Sequence, residues 1–255
     1  MDWESRRNAE REIGGELAMA AYVEHKDLAN ESIGPEGARQ ITNGVHRVLD
    51  RIAEAERAAG REAGSVRLLA ATKTRDVGEI MAAIDAGVRM IGENRPQEVV
   101  AKVDGLRYLC GERGYALGAD GGDAADGEHI PFHLIGQLQS NKINKVLPVV
   151  DAIESVDSVE LAEKIARRAV AAGITVGVLL EVNESGEASK SGCDPALALD
   201  IARRIGAMGG VELQGLMTIG AHVDDERVII CGGCASRSWP PGTPERGIAS
   251  SFRWA

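Results

Sequence analysis

From residue 37 onward the apolar positions alternate between two periods. Between Gly37 and Ala59, residues Ile41, Val45, Val48, Leu49 and Ile52 share one helical stripe, and Gly60 and Gly64 punctuate its end. A short apolar run, Arg67-Leu-Leu-Ala-Ala-Thr-Lys73, then reads as a buried strand over 67–72. Asp76 to Ala86 returns to helical spacing, with Val77, Ile80, Met81 and Ile84 on one face. The alternation goes on to predict strand 90–94, helix 96–103, strand 132–136, helix 140–147, strand 152–156, helix 158–172, strand 175–183, helix 195–207 and strand 212–219. Segment 105–131 breaks the rhythm, and its acidic, glycine-rich stretch 118–127 reads as a flexible surface loop. Residues 1–33 are polar, carry only a weak helical pattern and read as a loosely attached extension.

Regular strand–helix alternation with short connections implies parallel strands and right-handed crossovers, hence an α/β fold, either a barrel or an open doubly wound sheet. No Gly-x-Gly-x-x-Gly follows the first strand, which weakens a dinucleotide-binding reading and favours a TIM-type (β/α)8 barrel. The chain divides into an N-terminal extension, 1–36, a barrel domain, 37–228, and an irregular tail, 229–255.

Composition narrows the picture further. With two Phe, three Tyr and three Trp, the core must come from Ala, Val, Ile and Leu, which suits strands buried on both faces. A net charge of −10 argues against nucleic acid or an anionic membrane as partner. The charged N-terminus and the lack of a long apolar run leave neither a secretory signal nor a membrane span in the reading. The four cysteines form no disulfide framework at this length, so a cytoplasmic protein is expected.

Lys73 closes the first strand, at the edge where α/β folds keep their chemistry. An amine there becomes a nucleophile toward carbonyls if burial or a nearby cation lowers its pKa; a lysine that merely snorkels at a strand end is the plainer alternative. Other polar motifs fall at the ends of later strands: Gly92-Glu93-Asn94-Arg95-Pro96-Gln97-Glu98, His133-x-Ile-Gly-x-Leu-Gln-x-Asn-Lys142, Val182-Asn-x-x-x-Glu-x-x-Lys-x-Gly192 and Leu213-Gln-Gly-Leu-Met217-Thr218.

In this order and spacing the motifs closely resemble the pyridoxal 5′-phosphate homeostasis protein family, single-domain relatives of the alanine racemase barrel, from about Ile41 to Asp224. The resemblance implies a barrel of the alanine racemase N-terminal-domain type, with pyridoxal 5′-phosphate (PLP) held as a Schiff base on Lys73. It implies a role in intracellular PLP homeostasis without established catalytic turnover, as a monomer or weak dimer with apo PLP enzymes as partners. A PLP-dependent amino-acid racemase is the alternative. It lacks a catalytic tyrosine, since Tyr22, Tyr108 and Tyr115 match no expected position. On the same resemblance Asn94 bonds the cofactor's ring hydroxyl, or else simply ends a strand. His133 is either a satisfied core histidine or a residue standing behind the cofactor, and Met217 packs below the ring.

The family pattern fails after about Val228, where glycine, three prolines and two tryptophans replace any period. The barrel is therefore expected to be incomplete after its sixth strand. A reading-frame shift in a GC-rich gene produces such a jump; a natural divergent tail is its rival. The family's phosphate-binding turns belong to this region, so a weak preference for the phosphorylated vitamer is expected. Cys231-x-x-Cys234 supplies two of the four ligands that a structural zinc needs, so no metal is expected.

Overall fold

The structure, a computed structural model, describes residues 26–119, 128–185, 190–220 and 249–250. Its centre is a seven-stranded parallel sheet in the order β1-β2-β5-β6-β7-β8-β9. The strands are β1 (Ala70–Ala71), β2 (Ile91–Glu93), β5 (Phe132–Leu134), β6 (Ala152–Val156), β7 (Val176–Glu181), β8 (Val211–Thr218) and β9 (Ala249–Ser250). The helices between them are α1 (Pro35–Ala58), α2 (Val77–Asp85), α3 (Pro96–Glu112), α4 (Ile143–Val146), α5 (Val159–Ala172) and α6 (Ala198–Gly206). A separate parallel pair, β3 (Tyr115–Leu117) and β4 (Glu128–Ile130), lies beside the main sheet order.

Alternation along each strand sorts side chains to opposite faces. Ile91, Phe132, Leu134, Ile153, Val178 and Leu180 point to the helix side and join the apolar faces of α2, α3 and α5 in one continuous core. The opposite face holds a small apolar cluster of Ala152, Leu179 and Met217. It is the inner face of the barrel. Helix ends follow local chemistry. Asp76 and Glu79 form a reciprocal capping box at the start of α2, and Ser158 caps α5 by accepting from the Leu161 amide. Gly173, at φ 70°, ends α5 in the left-handed region that glycine occupies without strain.

Four expectations are corrected. Helix α3 does not stop at 103 but runs to Glu112, because Gly105 is a packing glycine and not a breaker. A Cβ added there would lie 3.3 Å from Val77, so its absence lets α2 and α3 approach. Segment 105–131 thus contributes a helix end and two short strands; residues 120–127 of the expected loop lie outside the described residues.

The first strand is two residues long, not six, because among the described residues it pairs only with β2 and Ala71 is exposed. The end of the N-terminal extension is docked, not loose. The Leu28 and Asn30 carbonyls accept from the Val77 and Gly78 amides at 3.2 and 2.9 Å, satisfying donors that a helix start leaves open. Gly78 has no room for a side chain, since a Cβ would meet the Ser32 backbone at 2.8 Å. Finally, 229–255 is not wholly irregular: Ala249 and Ser250 pair in parallel with Met217 and Thr218, which gives β8 a neighbour. Cys231 and Cys234 lie outside the described residues. No helix among the described residues is long and apolar enough to cross a membrane.

Candidate functional site at the carboxyl edge of the sheet

β1 delivers Lys73 into a turn that is fixed on both sides. The Thr72 amide donates to the Gly92 carbonyl at 2.9 Å, and the Thr72 hydroxyl donates to Glu93 Oε1 at 2.6 Å. Lys102 Nζ reaches the Thr72 carbonyl at 3.0 Å, Glu93 Oε1 at 2.7 Å and Glu98 Oε2 at 3.1 Å. The Thr74 amide donates to Glu98 Oε2 at 2.9 Å. Thr74 has a φ of 63°, the one left-handed non-glycine residue among those described. A β-branched residue there is strained, and the contacts around it hold it in place.

Lys102 is fully buried and Glu93 has no exposure, so this ion cluster sits inside the helix-facing core. Burial pushes the Glu93 carboxyl up to about 7, against the pull of Lys102 and the Thr72 hydroxyl. Its second oxygen is buried without a partner. Glu98, by contrast, is held below the usual carboxylate range: the Thr74 amide and Lys102 outweigh the cost of its burial.

The inner face collects a second polar set. Register aligns Ala71, Gly92, His133, Ala152 and Gly177 in one row across five strands. Lys73 and Asn94 each lie two residues beyond the Ala71–Gly92 pair, so these two sequence candidates are neighbours at the carboxyl edge. His133 sits one row lower, with Nδ1 2.6 Å from Glu154 Oε1. Met217 pairs with Glu181 on the far side of the strand series and is buried with Leu179 and Ala152. Glu181 accepts from Gln137 Nε2 at 3.0 Å, and burial together with the Asp157 charge pushes its carboxyl up to about 7. Gly136 lies against the Asn94 backbone so closely that a Cβ would fall 2.2 Å from its carbonyl oxygen. Side-chain bulk at 136 would therefore displace Asn94.

Sequence reasoning missed Lys102, Glu154 and Glu181 as site residues. Lys102 had a signal: it falls on the apolar stripe of Val99, Val103 and Leu106, four residues after Glu98. Glu154 had a weaker one, a carboxylate inside the apolar strand 152–156.

A parallel, helix-wrapped strand series with a lysine at its first carboxyl edge defines a barrel domain of the alanine racemase type, and the family model described as alanine racemase, N-terminal domain, matches residues 48–229. The chain is 34% identical over 192 residues to the pyridoxal phosphate homeostasis protein of Vibrio cholerae, covering 73% of each. A Bifidobacterium adolescentis protein of unknown identity, known from its crystal structure, is 75% identical and superposes with a TM-score of 0.80 over 83% of this chain and 82% of that one. PipY of Synechococcus elongatus, solved with PLP bound, is 29% identical with a TM-score of 0.51, over 69% of this chain and 72% of PipY. The chain belongs to the pyridoxal phosphate homeostasis protein family.

Proposed function

We propose that this chain binds PLP through Lys73 and holds it as part of intracellular cofactor homeostasis. What carries the reading is the Lys73 amine on a pinned turn at the carboxyl edge of a parallel sheet, in a chain similar to PLP-bound PipY. The donor set suits this group: a half-buried primary amine, a neighbouring amide, a buried imidazole and a thioether. Bound there, the cofactor supplies an electrophilic carbon and an electron-withdrawing ring. Lys73 holds it through its amine, Asn94 offers its amide to the ring hydroxyl, and Met217 gives an apolar floor. His133, oriented by Glu154, stands one row behind. The phosphate partners that the resemblance implies come after Val228, outside the described residues. In this reading the protein is a cytoplasmic carrier, monomeric or weakly dimeric, that supplies apo PLP enzymes.

Titration of the purified protein with PLP, borohydride reduction and mass mapping test it. One modification, at Lys73, is expected. Equal labelling of other lysines refutes the assignment.

Glu181 favours a second reading, a racemase-like enzyme. A carboxyl near neutrality on the inner edge of β7, four strands along from β1, has the properties of a second acid/base group. Lys73-dependent deuterium exchange at the Cα of alanine would support the enzyme; its absence leaves the carrier.

A further inference from the structure

Thr72 bonds to Glu93 through its hydroxyl and to Lys102 through its carbonyl, and the alternation of a strand assigns Lys73 to the opposite face, so the Glu93–Lys102–Glu98 cluster touches the lysine's backbone neighbours from behind. Buried ion clusters are poor stabilisers: apolar residues of similar volume usually serve a core as well or better. Lys102 falls among Val99, Val103 and Leu106 on the buried stripe of α3, which an apolar residue at position 102 would complete. Its hydrogen bonds are also directed. Of the three acceptors that Lys102 reaches, one is the carbonyl of Thr72, which the Arg75 amide also engages at 3.0 Å. Glu93 takes the Thr72 hydroxyl and Glu98 takes the Thr74 amide. The peptide groups before and after Lys73 are thus both tied to the cluster, across a turn that stores strain at Thr74.

We propose that the Glu93–Lys102–Glu98 cluster is a positioning device for Lys73, gripping the backbone on both sides of it so that its amine is held in the orientation an incoming aldehyde needs. The inference rests on the PLP reading of Lys73. These three are positioning residues, since none reaches the inner face. The cluster holds one cation for two carboxyls, and burial pushes the Glu93 carboxyl up to about 7, toward its neutral form.

The test uses Glu98, whose two functions separate. In Glu98→Gln the side-chain oxygen still accepts the Thr74 amide, whereas Glu98→Ala loses that bond. Val103→Ala, in the same helix and core but with a side chain that can make no hydrogen bond to the turn, controls for general destabilisation. Amide hydrogen exchange at Thr74 reads the grip with no ligand present, and the saturation curve of Lys73 labelling by PLP with cyanoborohydride reads its consequence.

Glu98→Ala should speed exchange at Thr74 and lower the maximal labelling rate about tenfold, the worth of one charge-assisted hydrogen bond, with the half-saturating concentration unchanged. Glu98→Gln should stay within about threefold of the parent, and Val103→Ala should lower the melting temperature without moving either readout. Parent-like Thr74 exchange or labelling in Glu98→Ala overturns the proposal, as does an equal loss in Val103→Ala. Parent protein labelled elsewhere than at Lys73 instead removes the PLP reading itself, while Thr74 exchange still reports on the grip.

Discussion

On the helix side of the sheet, Ile91, Phe132, Leu134, Ile153, Val178 and Leu180 are sealed into one core that continues through three helices. On the inner side the same strands give an apolar cluster of only Ala152, Leu179 and Met217, flanked by His133, Glu154 and Glu181. Because neighbouring residues on a strand face opposite ways, Ile153 and Glu154 can serve packing and chemistry independently. The division has one exception. A charged cluster interrupts the helix-side core directly behind Lys73, and there the core is shaped by the site.

Substitutions on the two faces should fail in opposite ways. Lys73→Ala should abolish reductive PLP labelling while the melting temperature, followed by circular dichroism, shifts by no more than a few degrees. Large destabilisation would mean that the inner edge also holds the fold. Ile153→Ala should do the reverse, costing about 2–5 kcal/mol in urea denaturation with labelling of the folded fraction intact.

Glu181 sharpens the contrast through pH. Its folded carboxyl titrates near 7, above its unfolded value of about 4.5, so the fold favours the protonated form. The associated stability is fully present below about pH 4.5 and lost as pH rises through about 7. Glu181→Gln should therefore gain on the parent by about 2–3 kcal/mol between those limits, measured by denaturation at each pH. A flat difference would show that Glu181 is well solvated. The smallest effect is expected at the docked extension: Gly78→Ala should cost about 1–2 kcal/mol by pushing a methyl into the Ser32 backbone, with faster amide exchange at Val77.

Much of this architecture was legible in the sequence where a local signal marked both ends of an element. Strand 152–156 matches its expected range, and α5 begins and ends where Ser158 and Gly173 act. What was not legible depended on distant partners. The length of β1 is set by which strands flank it, the run of α3 past Gly105 by Val77 on another helix, and the docking of 26–33 by the open amides of α2. At the site, Lys73, Asn94 and His133 stood out by motif and are grouped by register. Lys102 was passed over despite its place on an apolar stripe, because a lysine on a helix is ordinarily solvated, whereas packing encloses this one.

The all-parallel sheet also bears on how the chain reaches this state. Among the described residues no two strands of the main sheet are joined by a hairpin: Ala70 must find Ile91, Ile91 must find Phe132, and Val176 must find Val211. Every ladder closes a loop of roughly twenty residues or more before its first hydrogen bond forms, so the entropy of closure precedes the reward. Helices such as α5 can form within about a microsecond, but strand assembly belongs to the slow, high-contact-order regime. Refolding followed at once by far-ultraviolet and core-sensitive probes should show helix signal ahead of sheet closure, with the Lys73 turn among the late structures because it needs β1, β2 and α3 in place together.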